Sequence, residues 1–458
     1  MGMTIVEKIF ASASGQSRVV AGDLVVVDVD CAVMLDMSFH KTARRDILKV
    51  HDPDKVVVVY DHMVPAPDKD TAEAHSAGRA FARKFGIKRL HDVGPDQGIS
   101  HAVVADRAYA LPGSLLVCSD SHTCASGAFN CAARGIGAPD LLAAVTTGKT
   151  WYRVGTTIRY DFHGRLQPGV SAKDLFLHLA GTWGHHTNQN VEFGGAGLAG
   201  LSIDQRRTVA AMGAELSAEF ATFECDDRLI EYVKARNPAP FTAQAPDPDA
   251  DYAERRTVDL GALKPLVALP DAVIKNSVPV ETVAGQKIDQ AFIGSCANGT
   301  LEDLAEAARV VKGCKVATGV RFLVTPATQA TYAAALKAGY VETLIEAGAV
   351  VTSATCGACF GGHMGVLGPG ETASPPAPAT SRAAWAIPRR ASSWPRPRRS
   401  PPRPSRGTSR ERKDDRRHGL EIRRQHQHRF DVAGQFVAGA GSGAAKGGVP
   451  GQPAGLGR

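Results

Sequence analysis

Gln290-Ala-Phe-Ile-Gly-Ser-Cys296-Ala-Asn298-Gly299 is the stretch whose reading decides the fold. Its first four residues, three of them apolar, read as a buried strand, and glycines then bracket a cysteine. In open parallel sheets, ligands sit beyond the carboxyl ends of the strands, where loops carry chemistry on a rigid base. The same layout recurs twice. Ala349-Val-Val-Thr leads to Cys356-Gly-Ala-Cys359-Phe-Gly-Gly-His363, and Ser114-Leu-Leu-Val leads to Asp120-Ser121-His122-Thr123. A fully apolar run, Val56-Val-Val-Val-Tyr60, ends in the same way at Asp61-His62.

Taken alone, Cys356-x-x-Cys359 reads as half a zinc site, a redox pair or two buried thiols. No second CxxC or HxxxH supplies the rest of a structural zinc site. A thioredoxin-like pair would open a helix without Gly-Gly directly after it. Cys296, in a glycine-bounded loop at another strand end, turns the reading to an iron–sulfur cluster held by three thiolates. Such a cluster keeps one iron without a protein ligand, which makes it a Lewis acid rather than an electron relay. The other cysteines (Cys31, Cys118, Cys124, Cys131, Cys225 and Cys314) lack such settings and are expected as small core thiols.

Asp61-His62 and Asp120-Ser121-His122 each pair a carboxylate with an imidazole at a strand end. A neighbouring carboxylate raises a histidine pKa and lets it deliver a proton at neutral pH. His101, before an apolar segment, and Glu215, within the helical stretch Val209–Leu216, read equally as catalytic, core or solvated groups.

The 458 residues suffice for two or three domains, and a hydrophobic fraction of 44% is that of a globular protein. No apolar run approaches the roughly 18 residues of a membrane span, and the first ten residues lack a signal-peptide layout. Nine cysteines, three in metal-type spacings, favour a reducing cytoplasm over a disulfide framework. The net charge of +7 is misleading: residues 373–458 hold 18 Lys/Arg against 5 Asp/Glu, so the remainder carries −6. An acidic body gives no reason to expect a nucleic-acid partner.

From about residue 20 to 370 apolar runs alternate with helical patterns, the signature of βαβ units. Residues 70–85 have helical spacing with Gly86 as C-cap, and Thr300 is placed to cap a helix after the Cys296 loop. The Pro/Asp/Ala stretch 237–251 reads as an exposed linker between lobes. The expected fold is therefore α/β. Residues 373–458 are expected to form a disordered Pro/Arg/Gly-rich tail.

VVVVYDHMVPAPD, GISHAVV, ALPGSLLVCSDSHTCASGAF, AARGIGAPD, TTGKTW, FIGSCANGTLEDL and CGACFGGHMGVLGPGE together resemble the aconitase superfamily, and within it the large subunits of isopropylmalate-type dehydratases. The resemblance runs from Gly22-Asp23 through Thr372. It implies a three-lobed α/β/α architecture around a cleft, with lobes 1 and 2 over residues 1–280 and lobe 3 over 281–372, and a [4Fe–4S] cluster on Cys296, Cys356 and Cys359, with Asn298 beside it. It further implies that Asp61-His62 acts on the departing hydroxyl, that Asp120, His101, His122 and Glu215 line the site, and that Ser121 and Thr123 meet the substrate. The implied reaction is dehydration and rehydration of a small hydroxy acid, isopropylmalate in leucine biosynthesis. Homoaconitate, citraconate and dimethylmalate are the alternative substrates. The family's carbon base is a serine on a swivelling domain that nothing here matches, so a separate small subunit is the expected partner. A cluster-free RNA-binding form and a non-functional relic are the rival readings.

After the CGAC loop the family carries a segment like STSNRNFxGRMG, whose Asn and Arg grip carboxylates. Here the chain reads Ala373-Ser-Pro-Pro-Ala-Pro-Ala-Thr-Ser-Arg-Ala-Ala-Trp-Ala-Ile-Pro388. Codons exist for those residues that, read two bases on, give VSTSTRNFPGRMGDP. Residues 392–404 likewise permit a string compatible with LASPATVAASA. Residues 418–434, shifted by one base, permit MAWKFGDNINTDSMWPG, which resembles a small-subunit start. The tail is thus expected to be out-of-frame translation beginning just after Thr372.

Overall fold

The computed structural model describes residues 2–43, 46–270 and 272–374, so the tail, apart from Ala373 and Ser374, lies outside the described residues. Seven strands come first along the chain: β1 (Leu24–Asp28), β2 (Cys31–Leu35), β3 (Val56–Val59), β4 (Arg89–His91), β5 (Leu115–Cys118), β6 (Ala132–Gly135) and β7 (Lys149–Arg153). Five of them form a parallel sheet in the order β4-β3-β2-β5-β6, while β1 and β7 pair as an antiparallel ribbon. The four valines of β3 are all buried, as a strand covered on both faces requires. The helix after β3 spans Lys69–Phe85. Asp68 caps it by accepting the Thr71 N–H, and Gly86 ends it at φ 68°, which glycine adopts without a Cβ clash.

The second sheet holds β8 (Thr156–His163), β9 (Gln189–Gly194), β10 (Ala221–Phe223) and β11 (Glu254–Asp259), all parallel, in the order β10-β9-β8-β11. The expected linker at 237–251 therefore does not separate lobes, because strands on both sides of it share this sheet. It is a strap. Its Asp247 N–H donates to the Met3 carbonyl (2.9 Å), its Gln244 N–H to Asn130 Oδ1 (2.8 Å), and the Asn237 amide to the Ala108 carbonyl (2.9 Å). Proline and aspartate mark irregular surface chain here, and backbone pairing rather than composition decides where a lobe ends. One continuous core runs from Val57 and Leu116 through Phe129 to Tyr160 and Phe193, joining the first two sheets.

After the antiparallel pair β12 (Leu266–Ala268) and β13 (Ser277–Pro279) comes the third sheet: β14 (Gln290–Gly294), β15 (Arg321–Thr325), β16 (Ala349–Val351) and β17 (Ala373–Ser374). It is parallel throughout, in the order β16-β15-β14-β17. Ala291, Ile293, Phe322 and Val324 from this sheet pack against Leu304 and Leu344 of its helices. Thr300 and Asp303 form a capping box at the start of the helix Leu301–Val311. The three parallel sheets match the expected α/β architecture. Among the described residues, no helix is long and apolar enough to cross a membrane.

Candidate active site

Three aspartates stand just beyond the carboxyl ends of three adjacent strands: Asp36 after β2, Asp61 after β3 and Asp120 after β5. All three are buried. Asp61 Oδ1 accepts from His62 Nδ1 at 2.8 Å, and its Oδ2 accepts the Ser100 N–H at 2.8 Å, at the start of the helix Ser100–Asp106. His62 turns Nε2 toward Asp120 Oδ2, 3.3 Å away. On its other oxygen, Asp120 accepts from His101 Nε2 at 2.7 Å and from the His122 backbone N–H at 2.8 Å. The His122 ring continues to Glu215 Oε1 at 3.2 Å. The six residues expected as catalytic thus form one buried, hydrogen-bonded chain from Asp61 to Glu215.

The electrostatics follow from that packing. Burial disfavours charge on His62, but the charge of Cys356 and the carboxylates of Asp61 and Asp120 outweigh it and hold its pKa well above the usual histidine range. Burial likewise opposes ionisation of Asp120, yet hydrogen bonds from His101, His122 and His62 hold its carboxyl well below the usual carboxylate range. The pair is an imidazolium on a carboxylate at neutral pH, with the proton held at His62.

The loop that carries Cys356 and Cys359 meets this chain directly. The Cys356 N–H and the Thr355 hydroxyl donate to the Asp61 carbonyl at 2.7 and 2.9 Å. His363 Nε2 donates to the His62 carbonyl at 2.8 Å, and the Phe360 ring tilts against His62 at 5.2 Å. Cys296 lies on the turn Ser295–Asn298 after β14, and after burial its charge is among the influences that keep the Cys124 thiol, in the segment Ser121–Phe129, protonated. Cys296, Cys356 and Cys359 are buried, and no disulfide engages them. Three buried sulfur donors, none of them in a disulfide, have the chemistry of iron–sulfur cluster ligands, so the residues present fit such a group.

Other expectations resolve differently. Thr123 is fully buried and its hydroxyl donates to the Asp120 carbonyl at 2.6 Å, which makes it a support for the aspartate's turn. Ser121 Oγ lies 3.3 Å from His122 Nδ1. The Asn298 amide donates to Asp303 Oδ1 at 3.3 Å and lines a cavity of 720 Å³ on the helix side of the Cys296 turn, and Asp61, His62 and Asp120 do not border that cavity. Of the six cysteines expected in the core, Cys314 is exposed and Cys225 half-buried, while burial pushes the Cys31 and Cys124 thiols up to about 12. Asp36, Thr355 and His363 were not singled out in the sequence. Asp36 accepts the backbone N–H groups of His62 (3.3 Å) and Met63 (2.7 Å), which fixes the loop that carries the Asp61-His62 pair. Its signal was its place after an apolar run, the same place that marks Asp61 and Asp120.

The Aconitase family (aconitate hydratase) matches residues 12–381. The chain belongs to the aconitase family. Among curated aconitase-family relatives, the 3-isopropylmalate dehydratase large subunit of Mycolicibacterium smegmatis is 49% identical over 371 residues, covering 81% of this chain and 87% of that one. The protein of the same description from Moorella thermoacetica is 41% identical over 379 residues, covering 81% and 90%. A probable 3-isopropylmalate dehydratase large subunit from Methanothermobacter thermautotrophicus is 40% identical over 380 residues, covering 81% and 89%. Aconitase-family enzymes are hydro-lyases that carry iron–sulfur clusters, in accord with the donor set described above.

Proposed function

We propose that this chain is the large subunit of a 3-isopropylmalate dehydratase, acting in the cytoplasm on a branched hydroxy diacid in leucine biosynthesis. The observation that carries the reading is the junction of the Asp61–Glu215 proton chain with the Cys356 loop, in a chain 49% identical to a relative of that description. Cys296, Cys356 and Cys359 would hold a [4Fe–4S] cluster, which supplies a Lewis acid for a hydroxyl and carboxylate through an iron that lacks a protein ligand.

The chain's own residues do the rest. His62, kept protonated by Asp61 and Asp120, gives its proton to the departing hydroxyl and recovers it on rehydration. Asp120 remains anionic, stabilises that imidazolium and aligns His101. Glu215 orients His122, and Ser121 stands at the mouth of this pair. Burial of the whole chain excludes competing water. A separate small subunit would bring the base that removes the carbon-bound proton. Lobes 1 and 2 over residues 1–280 and lobe 3 over 281–372 would frame the cleft between them.

The test is to purify the chain anaerobically with a 3-isopropylmalate dehydratase small subunit and to assay a panel of hydroxy acids. Isopropylmalate turning over at least tenfold better than citramalate, homoaconitate or dimethylmalate supports the assignment. A preference for any of those others replaces it.

The tail from Ala373 onward would be an out-of-frame product lacking the carboxylate-gripping Asn and Arg. Restoring the frame is then expected to raise kcat/KM by about tenfold to a hundredfold, since each bidentate charge-assisted contact is strong. Equal kcat/KM for the two chains would remove the frame argument.

A further inference from the structure

The turn that carries Cys296 cannot hold its own shape. It has only four residues, fewer than an isolated helical turn needs to persist. Ser295, immediately before the cysteine, sits at φ +83°, a left-handed conformation unfavourable for a residue with a Cβ. Gly294 precedes it at φ +151°, where an added Cβ would come within 2.7 Å of the Thr325 carbonyl oxygen. A strained turn of this kind persists only when its surroundings over-determine it.

The surroundings come from another lobe. The helix Ile203–Ala211 presents two successive side chains to two successive carbonyls of the turn. Thr208 Oγ1 donates to the Ala297 carbonyl at 2.5 Å, and Arg207 Nη2 lies 3.5 Å from the Cys296 carbonyl. Both residues are buried, and Arg207 is balanced by Asp204 Oδ1 at 2.7 Å. The same helix reaches the proton chain. Its Ala211 carbonyl accepts the Cys124 thiol at 3.2 Å, and the 3-10 turn Met212–Ala214 delivers Glu215 to His122.

We propose that Thr208, with Arg207 beside it, is a positioning residue that fixes Cys296 relative to the Asp61–Glu215 chain, so that one helix sets both the cluster's third ligand and the proton-handling groups. This rests on the cluster reading above. Thr208 bonds to none of the residues of the Asp61–Glu215 chain. It acts through the Ala297 carbonyl, and that bond restrains the backbone from which the Cys296 thiolate projects. Groups one layer behind a metal ligand commonly govern metal retention by about ten- to a hundredfold.

Thr208→Val keeps the side chain's shape and removes the donor, while Thr208→Ser keeps the donor. Both variants and the unaltered chain would be reconstituted anaerobically and exposed to air, following cluster absorbance and bound iron. Thermal unfolding of the cluster-free forms would be measured in parallel. The expected result is cluster loss about tenfold faster in Thr208→Val, near-normal loss in Thr208→Ser, and decay rates that do not track unfolding temperature. If Thr208→Val does not fold, Thr208→Ala carries the same comparison. Equal decay in Thr208→Val and the unaltered chain overturns the inference and leaves the cluster reading intact. So does fast decay shared by Thr208→Ser, or decay that simply follows unfolding temperature. An unaltered chain that takes up no cluster overturns both.

Discussion

Cys356→Ser is expected to abolish the iron–sulfur absorbance of anaerobically reconstituted protein and to lower dehydratase turnover by at least about 10³-fold. A serine hydroxyl is not ionised at neutral pH and is a poor substitute for a thiolate at iron. The fold should survive, because the link of this residue to Asp61 runs through its backbone N–H, which serine retains. Cluster-free Cys356→Ser and unaltered protein should therefore unfold at closely similar temperatures. Cys314→Ser is the control: its exposed sulfur lies on the loop after the helix Leu301–Val311, and its loss should change neither absorbance nor turnover. Retained absorbance in Cys356→Ser would mean that the CGAC loop does not hold the group.

His62→Gln is expected to lower kcat by about 10²- to 10⁴-fold, the usual contribution of a positioned acid, with a much smaller change in KM. Glutamine keeps a polar side chain between Asp61 and Asp120 but cannot deliver a proton. The pH dependence fixes the sign. Because the pKa of His62 is raised, its acid form is present below that raised value and is lost as pH climbs through it. Unaltered enzyme should thus lose activity on an alkaline limb lying well above the ordinary histidine range, and His62→Gln should lack that limb. An unchanged alkaline limb in the variant would assign the proton elsewhere.

Much of the fold was legible because its signals are local. Val56–Tyr60 and Ala291–Ile293 are apolar runs that end in polar or glycine-bounded turns, and both lie in strands of parallel sheets. The helix expected over 70–85 forms over Lys69–Phe85 and ends at Gly86 as read. What stayed hidden depends on distant contacts. Glu215 meets His122 across 93 positions, a partnership that no spacing reveals. Asp36 lacks a neighbouring histidine, so only its strand-end position could have marked it. The strap at 237–251 looked like a boundary because proline and aspartate report irregular backbone, whereas its bonds to Met3, Ala108 and Asn130 are set by tertiary packing. Thr123 carries the right functional group for a ligand, yet its hydroxyl closes the Asp120 turn.

Mössbauer spectroscopy of the iron-57-reconstituted chain, with and without isopropylmalate, bears most directly on the idea that the three-cysteine site beside His62 binds and activates the hydroxy acid. One iron in four with distinct parameters, shifting when the hydroxy acid is added while the other three stay fixed, is the predicted result. Four equivalent irons indifferent to the hydroxy acid, or no cluster spectrum at all, would contradict it.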